Sequence, residues 1–131
     1  MRVLIADDDT AIRDTLSLLL RDERYEVWEA INGLDALQLM RKATEPLIIL
    51  LDMWMPGMGG EATLLATLAV EGWQTRYAFV VMTANPQHIS DHALAILDRY
   101  GIPLILKPFD IDHISQLVSR LAARFSDSLV R

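Results

Sequence analysis

The sequence predicts an α/β protein built on a five-stranded parallel sheet with helices on both faces. Three observations carry that prediction. Short apolar runs alternate five times with longer segments of helical period, and such alternation implies parallel strands joined by crossover helices. Two runs, 47–51 and 78–82, are apolar without any polar alternation, as strands buried on both faces are. Four of the five runs stop at a polar residue, which puts one polar rim along the carboxyl ends of the strands.

The first run, Val3-Leu4-Ile5-Ala6, ends at Asp7-Asp8-Asp9. Ile12, Leu16, Leu19 and Leu20 follow at the offsets of a buried helical stripe, with Asp9 or Thr10 as its cap. Residues 25–30 read as an edge strand, Val27 inward with the charges of Glu26 and Glu29 beside it. Asn32-Gly33 caps a second helix carrying Leu34, Leu37 and Met40. The run Leu47-Ile48-Ile49-Leu50-Leu51 stops at Asp52, and the loop 53–60 after it holds one proline and three glycines. A Leu- and Ala-rich helix then extends to about Glu71. The fourth run, Ala78-Phe79-Val80-Val81-Met82, ends at Thr83. Asn85-Pro86 is expected to open the fourth helix as cap and first-turn proline, with Ile89, Ala93, Ile96, Leu97 and Tyr100 facing inward. Leu104-Ile105-Leu106 forms the fifth strand and ends at Lys107. Asp110 caps the last helix, whose buried face is Ile114, Leu117, Val118, Leu121 and Phe125. One domain over 1–125 is expected, with 126–131 as a tail or the start of a linker.

Composition narrows the setting. At 131 residues, 52% of them apolar, the chain buries a core without staples. It has no cysteine to form a disulfide or a thiolate metal site, so a reducing cytoplasm is the natural compartment. Twelve basic against eighteen acidic residues give a net charge of −6, the wrong sign for gripping a nucleic-acid backbone. No apolar run reaches the ~18 residues of a membrane span. The apolar N-terminus meets Asp7 too early for a signal-peptide core.

Ligands of open parallel sheets bind beyond the carboxyl ends of the strands, near a topological switch point. Asp7, Asp8, Asp52, Thr83 and Lys107 should converge there. Three ionised carboxylates repel one another; Lys107 offsets one charge and a divalent cation would offset the other two. Oxygen ligands without His or Cys favour Mg²⁺ over zinc, with Mn²⁺ as the alternative. A carboxylate beside such a cation can attack a phosphoryl group to give an acyl phosphate.

Taken singly, these residues are ordinary: acids are common at helix starts, and a lone Thr or Lys is most often structural or solvated. Their joint placement at strand ends is what carries the signal. His88 and His92 lie four apart on the expected fourth helix but have no third ligand, so a solvated face is the better reading, as for His113. Gly57-Met58-Gly59-Gly60-Glu61-Ala62 fits a dinucleotide fingerprint by letter. Five residues, Asp52 to Pro56, however separate it from the strand that such glycines must leave directly. Trp73 and Tyr77 read as packing aromatics, and Met53, Met55 and Met58 as core filler or an adaptable apolar patch.

In this order the motifs Val-Leu-Ile-Ala-Asp7-Asp8-Asp9, Leu51-Asp52-Met-Trp-Met-Pro56-Gly-Met-Gly-Gly60, Met82-Thr83-Ala84 and Lys107-Pro108-Phe109 resemble the receiver domain of two-component response regulators. The resemblance spans roughly 2–125. It implies a flavodoxin-like (CheY-like) fold with strand order 2-1-3-4-5 and a cis bond between Lys107 and Pro108. It further implies that Asp52 is the phosphoacceptor, and that Asp8, Asp52 and the Trp54 backbone carbonyl hold Mg²⁺ directly. Asp7 then holds the metal through water, while Thr83 and Lys107 meet the phosphoryl group. The implied partners are a sensor histidine kinase or histidine phosphotransfer protein upstream, and a downstream protein or fused output domain. Signalling would run through the surface of helix four, strand five and helix five. Such a domain is a phosphoacceptor that catalyses only its own phosphotransfer and dephosphorylation.

Three positions depart from the family pattern. Leu104 stands where an aromatic usually couples to the threonine, which removes the aromatic rotamer relay, with Tyr100 as a substitute. Trp54 stands where smaller or polar side chains are common. Gly101-Ile102-Pro103 lacks the acidic pair of the winged-helix subfamily. Two rivals remain. A degenerate receiver would act only as a binding module. A Mg²⁺-dependent phosphohydrolase with an aspartyl nucleophile would need a second acid at Trp54 and a cap domain for which the chain has no room.

Overall fold

The computed structural model describes residues 1–130, with side chains through Ser126. Its strands are β1 (Arg2–Ala6), β2 (Glu26–Ala30), β3 (Leu47–Asp52), β4 (Tyr77–Thr83) and β5 (Leu104–Leu106). All pairings are parallel, in the order β2-β1-β3-β4-β5. The helices are α1 (Thr10–Asp22), α2 (Gly33–Lys42), α3 (Gly60–Leu68), α4 (Asp91–Tyr100) and α5 (Ile111–Val130). The expected fold and strand order are both borne out.

Period-two alternation sorts the strand residues into two cores. Leu4, Ala6, Ile49, Leu51, Phe79 and Val81 pack with Leu37 and Met40 of α2, Leu64 of α3 and Leu97 of α4. Val3, Ile5, Ile48, Leu50, Val80 and Met82 pack with Leu16 and Leu20 of α1 and with Ile114, Val118 and Leu121 of α5. Every residue of β3 and β4 is buried, which is why those runs show no alternation. The chain leaves β1 for β2 on one side and later enters β3 on the other, so a crevice opens between the ends of β1 and β3. Ala6 pairs with Leu51, so Asp7 and Asp52 emerge side by side at that crevice.

Several local expectations are corrected. α3 ends at Leu68 rather than near Glu71, and Gly72 (φ 76°) turns the chain into a 3-10 turn at Trp73–Thr75. Asn85-Pro86 opens only a single 3-10 turn, Pro86–His88. The true cap of α4 is Ser90, whose hydroxyl accepts the Ala93 N–H at 3.0 Å. His88 and His92 therefore do not share a helix. Leu34 points outward, 57% exposed, while Gly33, Ala36, Leu37 and Met40 of α2 are buried. Tyr100 is half-exposed and meets Trp73 edge-on, ring centroids 5.3 Å apart. α5 itself runs from Ile111 to Val130, which leaves the reading of 126–131 as a tail or linker open; Arg131 lies outside the described residues.

Two turns hold the loop after Asp52. Gly57 takes the left-handed conformation (φ 71°) with open space where a Cβ would stand. At Gly60 a Cβ would run into the Asp52 carbonyl and stand 2.7 Å from Met53 Cα, so α3 can start against β3 only without a side chain. We expect Gly60→Ala to destabilise by about 3 kcal/mol, since backbone must move to admit the methyl. Gly57→Ala should cost only about 1 kcal/mol, the left-handed penalty alone. Urea denaturation of both variants checks the contrast.

Candidate functional site

The site is built from the ends of four strands. Asp7 is fully buried; its N–H closes the β1–β2 ladder on the Ala30 carbonyl at 3.1 Å. Its Oδ1 accepts the Asp9 N–H at 2.9 Å, a local turn that projects Asp8 outward, and Asp8 is exposed. Asp9 is the α1 cap, accepting from Ala11 and Ile12, and takes no part in the rim. Asp52, 4% exposed, accepts the Trp54 N–H at 3.3 Å. Thr83 is buried, its hydroxyl accepting the Asn85 N–H at 3.1 Å. Lys107 is tied to β4 by its own N–H, which donates to the Thr83 carbonyl at 2.8 Å. The Lys107-Pro108 bond is cis, as expected.

Lys107 joins the two buried acids. Its Nζ donates to Asp7 Oδ2 at 2.7 Å and lies 3.4 Å from Asp52 Oδ2. Burial alone would lower the lysine's pKa, but the hydrogen bond to Asp7 and the charge of Asp52 outweigh it, and the pKa rises above its ordinary value. The lysine is therefore firmly cationic. Asp52 responds in the opposite sense. Burial first, and the neighbouring charge of Asp7 second, push its pKa up to about 6 against the pull of Lys107 and the Trp54 N–H.

Asp7, Asp8 and Asp52 each offer an oxygen within 4.8 Å of the others. Three carboxylates against one ammonium leave an excess of negative charge, and the donors are all hard oxygens. Those features fit Mg²⁺ or Mn²⁺ and not zinc. The three histidines are exposed, and none belongs to this cluster.

Trp54 turns outward, 74% exposed, onto a groove of about 790 Å³ shared with Asp8, Met55, Pro56, Glu61 and Leu65. Met53 and Met55 are buried in the core, which decides between the two readings of these methionines. Leu104 is half-buried and packs against the α2–α3–α4 side of the sheet. Two features escaped the sequence reading. Arg13 of α1 reaches the Asp7 carbonyl at 2.9 Å, and Ser90 donates to Glu61 Oε1 at 2.7 Å, linking the α4 cap to α3. Neither contact carries a sequence signal, because its partner is fixed only in three dimensions.

The raised Asp52 pKa has a consequence for stability. An acid whose folded pKa exceeds its unfolded value of 3.8 favours folding fully below that value and loses the contribution as pH rises through about 6. We therefore expect Asp52→Asn to stabilise the protein in chelator at pH 7.5 by about 2 kcal/mol. The gain should fade as pH falls toward 4. Denaturation of both proteins across pH reads it directly.

Comparison with known proteins agrees with this geometry. The family model described as response regulator receiver domain matches residues 3–119. Sporulation initiation phosphotransferase F of Bacillus subtilis is 32% identical over 119 residues, 91% of each chain. Regulatory protein AtoC of Escherichia coli is 31% identical across 91% of this chain, which spans 24% of that protein. A receiver domain protein (CheY-like) from Methanospirillum hungatei superimposes with a TM-score of 0.75 at 28% identity, over 99% of this chain and 98% of that one. The response regulator TrrA of Thermotoga maritima, solved in complex with Mg²⁺-BeF, gives 0.72 at 26% identity over 92% and 97%. Among the described residues no helix is long and apolar enough to cross a membrane. The chain belongs to the response regulator receiver domain family of two-component signalling.

Proposed function

We propose that this chain is a phosphorylation-driven switch whose phosphoacceptor is Asp52. The observation that carries the reading is the pairing of Asp52 with Lys107 at 3.4 Å, inside a cluster of three carboxylates at the β1/β3 crevice. The receiver spans 1–125, with 126–131 as a tail or linker, and acts in the cytoplasm. It catalyses only its own phosphotransfer and dephosphorylation.

The donor is a phosphohistidine on a sensor kinase or a phosphotransfer protein. An Asp52 carboxylate oxygen attacks phosphorus; the O–P bond forms as the P–N bond breaks, and the histidine imidazole leaves. Asp8, Asp52 and the Trp54 backbone carbonyl would hold Mg²⁺, or Mn²⁺, with Asp7 acting through water. When bound, that ion neutralises charge on the transferring phosphoryl oxygens. Lys107 supplies the second positive charge, and Asp7 keeps its ammonium oriented at 2.7 Å. Ionised Asp52 is the nucleophile; burial and the charge of Asp7 raise its pKa, and a bound cation would lower it again, keeping Asp52 ionised for attack.

Phosphorylation replaces a monoanion by a group of nearly two negative charges. Lys107 and the Thr83 hydroxyl would be the donors that respond, and the surface of α4, β5 and α5 would follow as a population shift. Leu104 stands at the relay position without an aromatic ring, so Thr83 must couple through backbone and aliphatic packing. The output is a downstream protein or a fused domain. The domain itself contacts neither nucleic acid nor membrane.

Intact mass after incubation with acetyl phosphate tests the reading. We expect one phosphoryl group added in Mg²⁺, none in chelator and none in Asp52→Asn. Lys107→Met should lower the yield at least tenfold, by removing the cation that faces the transferring group. Metal binding without mass gain would leave a binding module, and steady phosphate release from unrelated esters would indicate a phosphohydrolase.

A further inference from the structure

Arg13 lies outside every motif, yet its side chain is only 14% exposed. The guanidinium reaches three parts of the chain. Nη1 donates to the Asp7 carbonyl at 2.9 Å, Nη2 to Thr10 Oγ1 at 3.4 Å, and Nε lies 3.4 Å from Glu29 Oε1 on β2. The Asp7 N–H is already committed to Ala30, and its carboxylate to Asp9 and Lys107. The carbonyl held by Arg13 belongs to the rigid peptide unit that joins Asp7 to Asp8. Its direction therefore sets where the Asp8 carboxylate stands relative to Asp7.

We infer that Arg13 is a positioning residue for the acidic site, acting through the Asp7–Asp8 peptide plane. The inference rests on the reading of that site as a Mg²⁺ site. Two effects of Arg13 oppose each other. By charge alone, a cation near the cluster disfavours a second cation, so removing it would tighten metal binding. By geometry, the bond to the Asp7 carbonyl preorganises two acids, so removing it would loosen binding. Geometry prevails, because the Glu29 carboxylate beside the guanidinium offsets its field, and nothing else among the described residues bonds the Asp7 carbonyl. A lysine keeps the charge but not the planar fork that reaches Asp7 and Glu29 together.

The test titrates Mg²⁺ into the full chain, following tryptophan fluorescence and, in parallel, the thermal midpoint. Arg13→Met and Arg13→Lys should both weaken Mg²⁺ affinity about five- to tenfold. Glu29→Gln, which keeps Arg13 but loosens its anchor, should give a smaller loss in the same direction. The control is Arg2→Met, which breaks the Arg2–Glu26 pair (3.0 Å) at the other end of the same two strands. It should lower the midpoint in chelator and leave Mg²⁺ affinity unchanged. Tighter binding in Arg13→Met with wild-type affinity in Arg13→Lys would assign Arg13 a charge role and overturn the inference. An equal affinity loss in Arg2→Met would reduce it to general stability, again overturning it. If the wild type responds to Mg²⁺ in neither readout, the metal reading itself fails, a result distinct from unaltered affinity in the variants.

Discussion

The structure depends on one ammonium group held between two buried carboxylates. Asp7 is fully buried and Asp52 nearly so, each following a run of buried apolar strand residues. Burying one carboxylate is costly, and burying two side by side more so. Lys107 offsets part of that cost and does so from β5, joining the sheet's edge strand to its centre. The compensation is incomplete: Asp52 still titrates near 6 rather than in the ordinary carboxylate range. The fold thus keeps an excess of negative charge at its centre, which a cation can offset.

The rest of the architecture keeps this arrangement in place. The ladder pairs Ala6 with Leu51 and Leu51 with Val81, so the registers of β1, β3 and β4 are locked before any polar residue appears. Slipping any of these strands by one residue would turn Ile48 and Leu50 to the wrong core and carry the strand-end acid with them. The glycine at the start of α3 is as strict, because α3 rests directly on the Asp52 carbonyl. The core and the site therefore share their constraints, and the acids cannot be moved independently of the hydrophobic register.

This coupling explains what was legible in the sequence. Uninterrupted runs such as 47–51 announce buried parallel strands, and the polar residue that ends four of the five runs falls on the common rim, so fold and site could be read together. The start of α4 was misplaced because Asn85-Pro86 and Ser90 both offer plausible helix openings; the choice depends on burying Ile89 and on Ser90 reaching Glu61, a contact across elements. Arg13 was invisible for a different reason. Its partner is a backbone carbonyl, and no residue type marks a carbonyl in a sequence.

The edge of the sheet completes the physical picture. β5 has three residues and pairs only with β4, and its Leu106 is 53% exposed. The element that delivers Lys107 is thus among the least restrained in the sheet, while β1 and β3, which deliver the acids, are the most restrained. The strands carrying the acids cannot yield without unpacking both cores, whereas β5 is paired with one neighbour only.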